Sequence, residues 1–196
     1  MLKYSLLLLL FFLSSCGYHV SSANEETSIY VPYVKGDDDG RLTNAIIYEL
    51  ATGSIFQYKQ SQSDFILKVS VQPTTNEYIG YKHDRTRDDA VKKNILPVEG
   101  RQKIIARVSL ISNSSNKIIW GPTTITADVD YDFIDQDSVN DLTFIDTNNI
   151  RRNVIDYSLG QLESVPSAKQ ASSSLLYDKL AKRIIEILSA ELEGEL

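Results

Sequence analysis

Alternation of apolar and polar side chains dominates the middle of this chain. Phe65, Leu67, Val69 and Val71 alternate with Ile66, Lys68, Ser70 and Gln72, the period of two expected of a strand with one buried face. The alternation returns at Ile104, Ala106, Val108 and Leu110, and again at Ile125, Ala127, Val129, Tyr131 and Phe133 against Thr124, Thr126, Asp128, Asp130 and Asp132. Residues 112–116, Ser-Asn-Ser-Ser-Asn, form a polar turn between the two runs. Together they predict a long antiparallel hairpin. Upstream, residues 28–34 are β-branched and aromatic, and Pro32 marks a strand end or a sheet edge.

Two stretches carry the helical period instead. Leu42, Ala45, Ile46 and Leu50 recur at helical spacing between a turn with an N-cap at Asp37-Asp38-Asp39-Gly40 and a stop at Gly53. Near the C-terminus, Ser167 and Gln170 form a capping-box pattern. Ala171, Leu175, Leu176, Leu180, Ile184, Ile187, Leu188 and Leu192 follow on one helical stripe. Residues 134–165 are polar and weakly patterned, with a candidate short strand at 154–159, and residues 17–27 lack apolar periodicity and read as a tether. A sheet with one apolar face buries that face by covering it with helices. The expected fold is therefore a two-layer α+β sandwich: a mostly antiparallel or mixed sheet of about four strands, covered on one face by two helices, over residues 28–196 as a single domain.

The first fifteen residues follow a different logic. Lys3 precedes an apolar core of about ten residues, Tyr4 to Leu13, and then the small residues Ser14 and Ser15. This is the order of a secretory signal peptide, and the run falls well short of the roughly 20 residues a membrane span needs. The sequence Leu13-Ser14-Ser15-Cys16 resembles the lipobox of bacterial lipoproteins. That resemblance implies a diacylglycerol on Cys16, removal of residues 1–15, and acylation of the new amino group, leaving residues 16–27 as a lipidated tether. Cys16 is the only cysteine and has no disulfide partner in the chain. Several acyl chains, at about 0.8 kcal/mol per buried methylene, make such an anchor permanent. Gly17 stands where inner-membrane lipoproteins carry a retention aspartate, which points to the outer membrane.

Charge and chemistry narrow the function further. Loss of Lys3 takes the net charge from −6 to −7, and an acidic domain is a poor general binder of nucleic acid. No nucleophile-elbow, zinc-protease, P-loop or dinucleotide motif occurs. His19 lies in the tether and His83 among charged residues read as loop, so no enzyme is expected. Asp128, Asp130 and Asp132 lack the glycine and glutamate of a calcium loop and are expected on the solvent face of one strand. Asp37 to Asp39 suit a helix N-terminus, and Trp120 suits packing at a sheet end. No metal and no cofactor is expected beyond the covalent lipid on Cys16.

One asymmetry stands out. Residues 82–103 hold seven basic side chains, Lys82, Arg85, Arg87, Lys92, Lys93, Arg101 and Lys103, against four acidic ones, whereas residues 128–163 hold nine acids and only Arg151 and Arg152. The basic stretch reads as a loop, either solvated by its mixed charge or available to an anionic glycolipid or an acidic partner.

The lipobox followed by Gly17-Tyr18-His19, the strand around Ile29-Tyr30-Val31-Pro32-Tyr33, the helix from Leu42 to Leu50, the strand entry Ser63-Asp64-Phe65-Ile66-Leu67, the hairpin and the long last helix together resemble the lipopolysaccharide-assembly lipoprotein family, LptE. The resemblance implies a non-enzymatic outer-membrane lipoprotein seated in the lumen of the large β-barrel LptD, at the periplasmic face. There it would support assembly of the barrel and delivery of lipopolysaccharide to the cell surface. A polar lumen suits a small charged domain. The alternative is a lipid-anchored scaffold or binding module of another envelope complex.

Overall fold

The structure, a computed structural model, describes residues 27–53, 55–86, 90–134, 143–153 and 164–193. Cys16, Arg87 and the candidate strand at 154–159 lie outside them. The spine is β5 (Val91–Ser112), a 22-residue strand. Along one edge it pairs first with β4 (Thr75–Arg85) and then with β3 (Phe65–Val71), and along the other with β6 (Ile118–Asp132), all antiparallel. β1 (Thr27–Tyr30) continues the sheet parallel to β3, and β2 (Phe56–Tyr58) closes it parallel to β1. The sheet is mixed and has six strands, with β2 and β4 added to those the hydrophobic pattern predicts. Neither added strand alternates cleanly. β4 reads TNEYIGYKHDR and is held by pairing rather than by a buried face.

Helix α1 (Arg41–Thr52) and helix α2 (Val165–Glu193) cover one face. Leu67 and Val69 of β3, Ile104, Ala106, Val108 and Leu110 of β5, and Ile125 and Ala127 of β6 point into the core with Leu42, Ile46 and Leu50 of α1 and Leu176, Leu180, Ile184 and Leu188 of α2. Each large side chain buried this way contributes about 1.5–3 kcal/mol. Thus the predicted hairpin forms, with Ile104 opposite Ala127 and Ala106 opposite Ile125, and Trp120 packs at the sheet end against this core.

The caps differ from expectation in detail. Asp37 is buried and its carboxylate accepts from the Leu42 and Thr43 amides and from the Thr43 hydroxyl, the last two at 2.7 Å. The Thr43 hydroxyl in turn accepts from the Val34 amide at 3.1 Å, tying the exit of the first strand to the start of α1. The N-cap position itself is Gly40, whose positive φ of 73° suits a residue without a Cβ. Gly53 ends α1 by donating its amide to the Glu49 carbonyl. At α2 the helix begins at Val165, ahead of the Ser167/Gln170 pattern. Ser164 precedes it, Pro166 sits in the first turn, and the Ala168 amide donates to the Ser164 carbonyl. Leu175, expected on the buried stripe, is 61% exposed, because the face set by Ser172, Leu176 and Leu180 turns it outward.

The other face of the sheet is uncovered by either helix. β6 forms a sheet edge, and its Thr126 and Asp128 carbonyls accept from Arg183 and Lys179 of α2 at 2.9 and 2.7 Å. Two cations thereby occupy backbone acceptors that a foreign strand would otherwise use. A separate small hairpin joins β7 (Thr143–Ile145) to β8 (Arg151–Asn153). Its turn is pinned by Asp146, which accepts from the Asn148 and Ile150 amides and from Arg152.

Candidate functional site

The basic stretch read as a loop is a β-ribbon. Pairing of β5 with β6 ends at Glu99 opposite Asp132. Beyond that point β4 and β5 continue as a two-stranded arm, with Tyr81 opposite Pro97, Lys82 opposite Leu96, His83 opposite Ile95 and Arg85 opposite Val91. Register shifts between Tyr78 and Tyr81 and between His83 and Arg85 bend it. His83 is therefore a strand residue, not a loop residue.

Register sorts the arm into two faces, since cross-strand partners share a side and neighbours alternate. On one face Asp84 is buried and accepts from Lys92 Nζ at 2.6 Å and Asn94 Nδ2 at 3.0 Å, beside Lys82 and Leu96. The other face carries Tyr81, His83, Val91, Lys93, Ile95 and Pro97, with Tyr81, Val91 and Ile95 between 57% and 59% exposed. Scattered exposed apolar residues are ordinary. Here three lie together on one side of a ribbon that no other described strand supports, interleaved with a lysine. A two-stranded ribbon is marginally stable alone, so this face gains from a partner.

The root of the arm is an aromatic clamp. Tyr78 packs on Phe133 at 5.6 Å between ring centroids and Tyr131 packs on Phe133 at 5.9 Å, against Ala168 and Val165 of α2. Gly100 lies directly under the Tyr131 ring, where a Cβ would collide with it. Burial pushes the Tyr131 hydroxyl pKa above its ordinary value, and among the described residues that oxygen has no hydrogen-bond partner. Just inside, the buried Gln102 accepts from Ser172 and Ser173 of α2 at 3.0 and 3.1 Å.

The seven basic candidates separate. Lys82, Lys92 and Lys93 lie on the arm, with Lys93 on its apolar face, and Arg85 lies near its tip. Arg101 belongs to the sheet, where it holds Asp130 through two bonds of 2.6 and 2.9 Å; that pair raises the Arg101 pKa and holds Asp130 below the usual carboxylate range. Lys103 stands opposite Asp128. Antiparallel pairing thus folds part of the basic block onto part of the acidic one, and Asp130 meets an arginine on the exposed face of its strand. The exposed trio Tyr81, Val91 and Ile95 escaped the sequence reading, since no period marks it.

Comparison with known proteins follows the same outline. No curated protein sequence matches the chain. Among solved structures it is similar to a minor lipoprotein from Acinetobacter baumannii, at 14% identity over 85% of this chain and 92% of that one with a TM-score of 0.46. It is also similar to the rare lipoprotein B from Shewanella oneidensis, at 12% identity over 86% and 99% with a TM-score of 0.44. The family model described as LptE, lipopolysaccharide-assembly, matches residues 26–192. The chain belongs to the LptE family of lipopolysaccharide-assembly lipoproteins.

Proposed function

We propose that this lipoprotein is cleaved before Cys16, anchored by acyl chains on that residue to the outer membrane, and seated in the lumen of an LptD-type β-barrel. There it supports assembly of the barrel and passage of lipopolysaccharide. The arm is the part that engages the partner, and its exposed Tyr81, Val91 and Ile95 with Lys93 carry this reading. The apolar side chains of the body pack between sheet and helices, whereas these face solvent on a ribbon that gains stability when covered. Lys93, on the same face as that trio, is the basic residue placed to meet phosphate groups of lipopolysaccharide or an acidic rim, whereas Lys92 is held by Asp84. Arg101 is engaged by Asp130.

Membership in a non-enzymatic assembly family and a surface built for contact agree. No helix among the described residues is long and apolar enough to cross a membrane. The test is co-purification of the full-length protein from mild-detergent extracts with mass identification of what accompanies it. A large outer-membrane β-barrel should be recovered, and recovery should fall at least tenfold when Tyr81, Val91 and Ile95 are all replaced by Ser. Absence of any barrel from the wild-type extract overturns the proposal and favours a scaffold of another envelope complex.

A further inference from the structure

The end of the sheet opposite the arm carries a second exposed surface. β1 begins there at Thr27, and register brings four other strands alongside it. Thr27 stands opposite Phe56 at the start of β2, Ile29 opposite Phe65 at the start of β3, Phe65 opposite Ser112 at the end of β5, and Ile111 opposite Ile118 at the start of β6. The turn at 112–117 is stapled to this end. Asn113 donates its amide to the Asp64 carbonyl and its side chain to the Ser63 carbonyl, and the Asp64 carboxylate accepts from Ser28.

Two properties set this end apart. Ile55, Ile118 and Ile119 are between 43% and 57% exposed. Residues 55–58, 60–63 and 112–119 hold one charged side chain, Lys117, in a chain that is 23% charged. Lys59 stands at the inner end of β2, where its amide donates to the Ile29 carbonyl. The isoleucines do not form one compact patch. β1, β3 and β5 separate β2 from β6, so Ile55 and Ile118 stand about 19 Å apart, at the two corners of the sheet end. A protein partner covers a contiguous apolar patch, whereas a fluid lipid surface meets separated side chains equally well.

The chain that precedes β1 decides the occupant. Thr27 is eleven residues past Cys16, a length that reaches at most about 40 Å, and it enters the sheet between the two apolar corners. Acyl chains on Cys16 therefore hold this end near the bilayer, while the tip of the arm lies a full β5 away, about 70 Å along the strand.

We propose that this end of the sheet rests in the headgroup layer of the leaflet that holds the anchor, with Ile55, Ile118 and Ile119 toward the acyl chains. Lys117, beside Ile118, lays a long apolar stem along that layer and keeps its charged end in water. Three isoleucines alone would hold a free protein weakly, but a short tether makes the contact intramolecular and populates it. The contact rests on the acylation of Cys16 proposed above and adds an orientation to it: the arm points away from the lipid, toward the partner.

Trp120, next to Ile119 and the only tryptophan in the chain, reports on this end without a label. Full-length acylated protein is reconstituted, without any barrel, into phosphatidylcholine vesicles whose acyl chains are brominated near the headgroup, a quencher that acts only at close range. Trp120 emission should be at least 1.5-fold weaker than in unbrominated vesicles. Ile55→Ser with Ile118→Ser should reverse at least half of that loss, Ile118→Asn alone about a third of it, and Tyr81→Ser with Ile95→Ser on the arm none. Protein that carries no acyl chain by mass spectrometry overturns the anchor and the contact together. Acylated, vesicle-bound protein whose emission is indifferent to bromine overturns the contact alone, as does quenching undiminished in both Ile118 variants. Emission that changes only when a barrel is added gives this end to the partner and overturns the contact as well.

Discussion

The two halves of β5 share one backbone and little else. From Ala106 to Leu110 the strand runs between β3 and β6 under two helices, and every second side chain is buried. From Val91 to Pro97 it has β4 alone, and Val91 and Ile95 are more than half exposed. The inner half contributes stability by burial. The outer half, Val-Lys-Lys-Asn-Ile-Leu-Pro, contributes far less by burial.

Substitutions should separate these halves. The largest loss belongs to the covered body: Leu180→Ala removes a fully buried side chain where α2 meets the sheet and should cost about 2–5 kcal/mol in chemical denaturation. At the junction, Gly100→Val drives a branched side chain into the Tyr131 ring and should cost about 1–3 kcal/mol by overpacking. Asp37→Ala strips the start of α1 of its acceptor and should cost about 1–2 kcal/mol in the same assay.

Acid should reveal a smaller effect, also in the body. Hydrogen bonds from the Ser28 hydroxyl and amide, at 2.5 and 2.9 Å, hold the Asp64 pKa below the usual carboxylate range. A carboxylate depressed in the folded state stabilises fully above its unfolded value, about 3.9, and that contribution disappears as pH falls through the lower folded value. Asp64→Asn should therefore flatten the acid limb of a stability–pH profile below about pH 4. Smallest of all, Ile95→Ser on the arm should shift stability by no more than about 0.5 kcal/mol, while reducing partner recovery.

The same division decided what could be read from sequence. β3, the β5–β6 hairpin and both helices were legible because burial of one face imposes a period on Leu67 and Val69, on Ile104 to Leu110, and on Leu176 to Leu188. β4 was not, because neither of its faces buries a row of apolar side chains and so no period is imposed, and its bulges break what alternation remains. α2 starts a turn ahead of the Ser167/Gln170 pattern, because Ser164 suits a helix N-terminus as well as Ser167 does. For the site, the basic block was visible as composition, but which lysines stay on the arm and which cations meet Asp130 or Asp128 is fixed by strand register.

Position-specific photocrosslinking in intact cells tests the role of the arm most directly, with a photoreactive residue at Ile95 and, for comparison, at the exposed Lys182 on α2. Position 95 is expected to form an adduct with a large outer-membrane β-barrel at several times the yield from position 182. A barrel adduct from position 182 with none from position 95, or no barrel adduct from either, would contradict it.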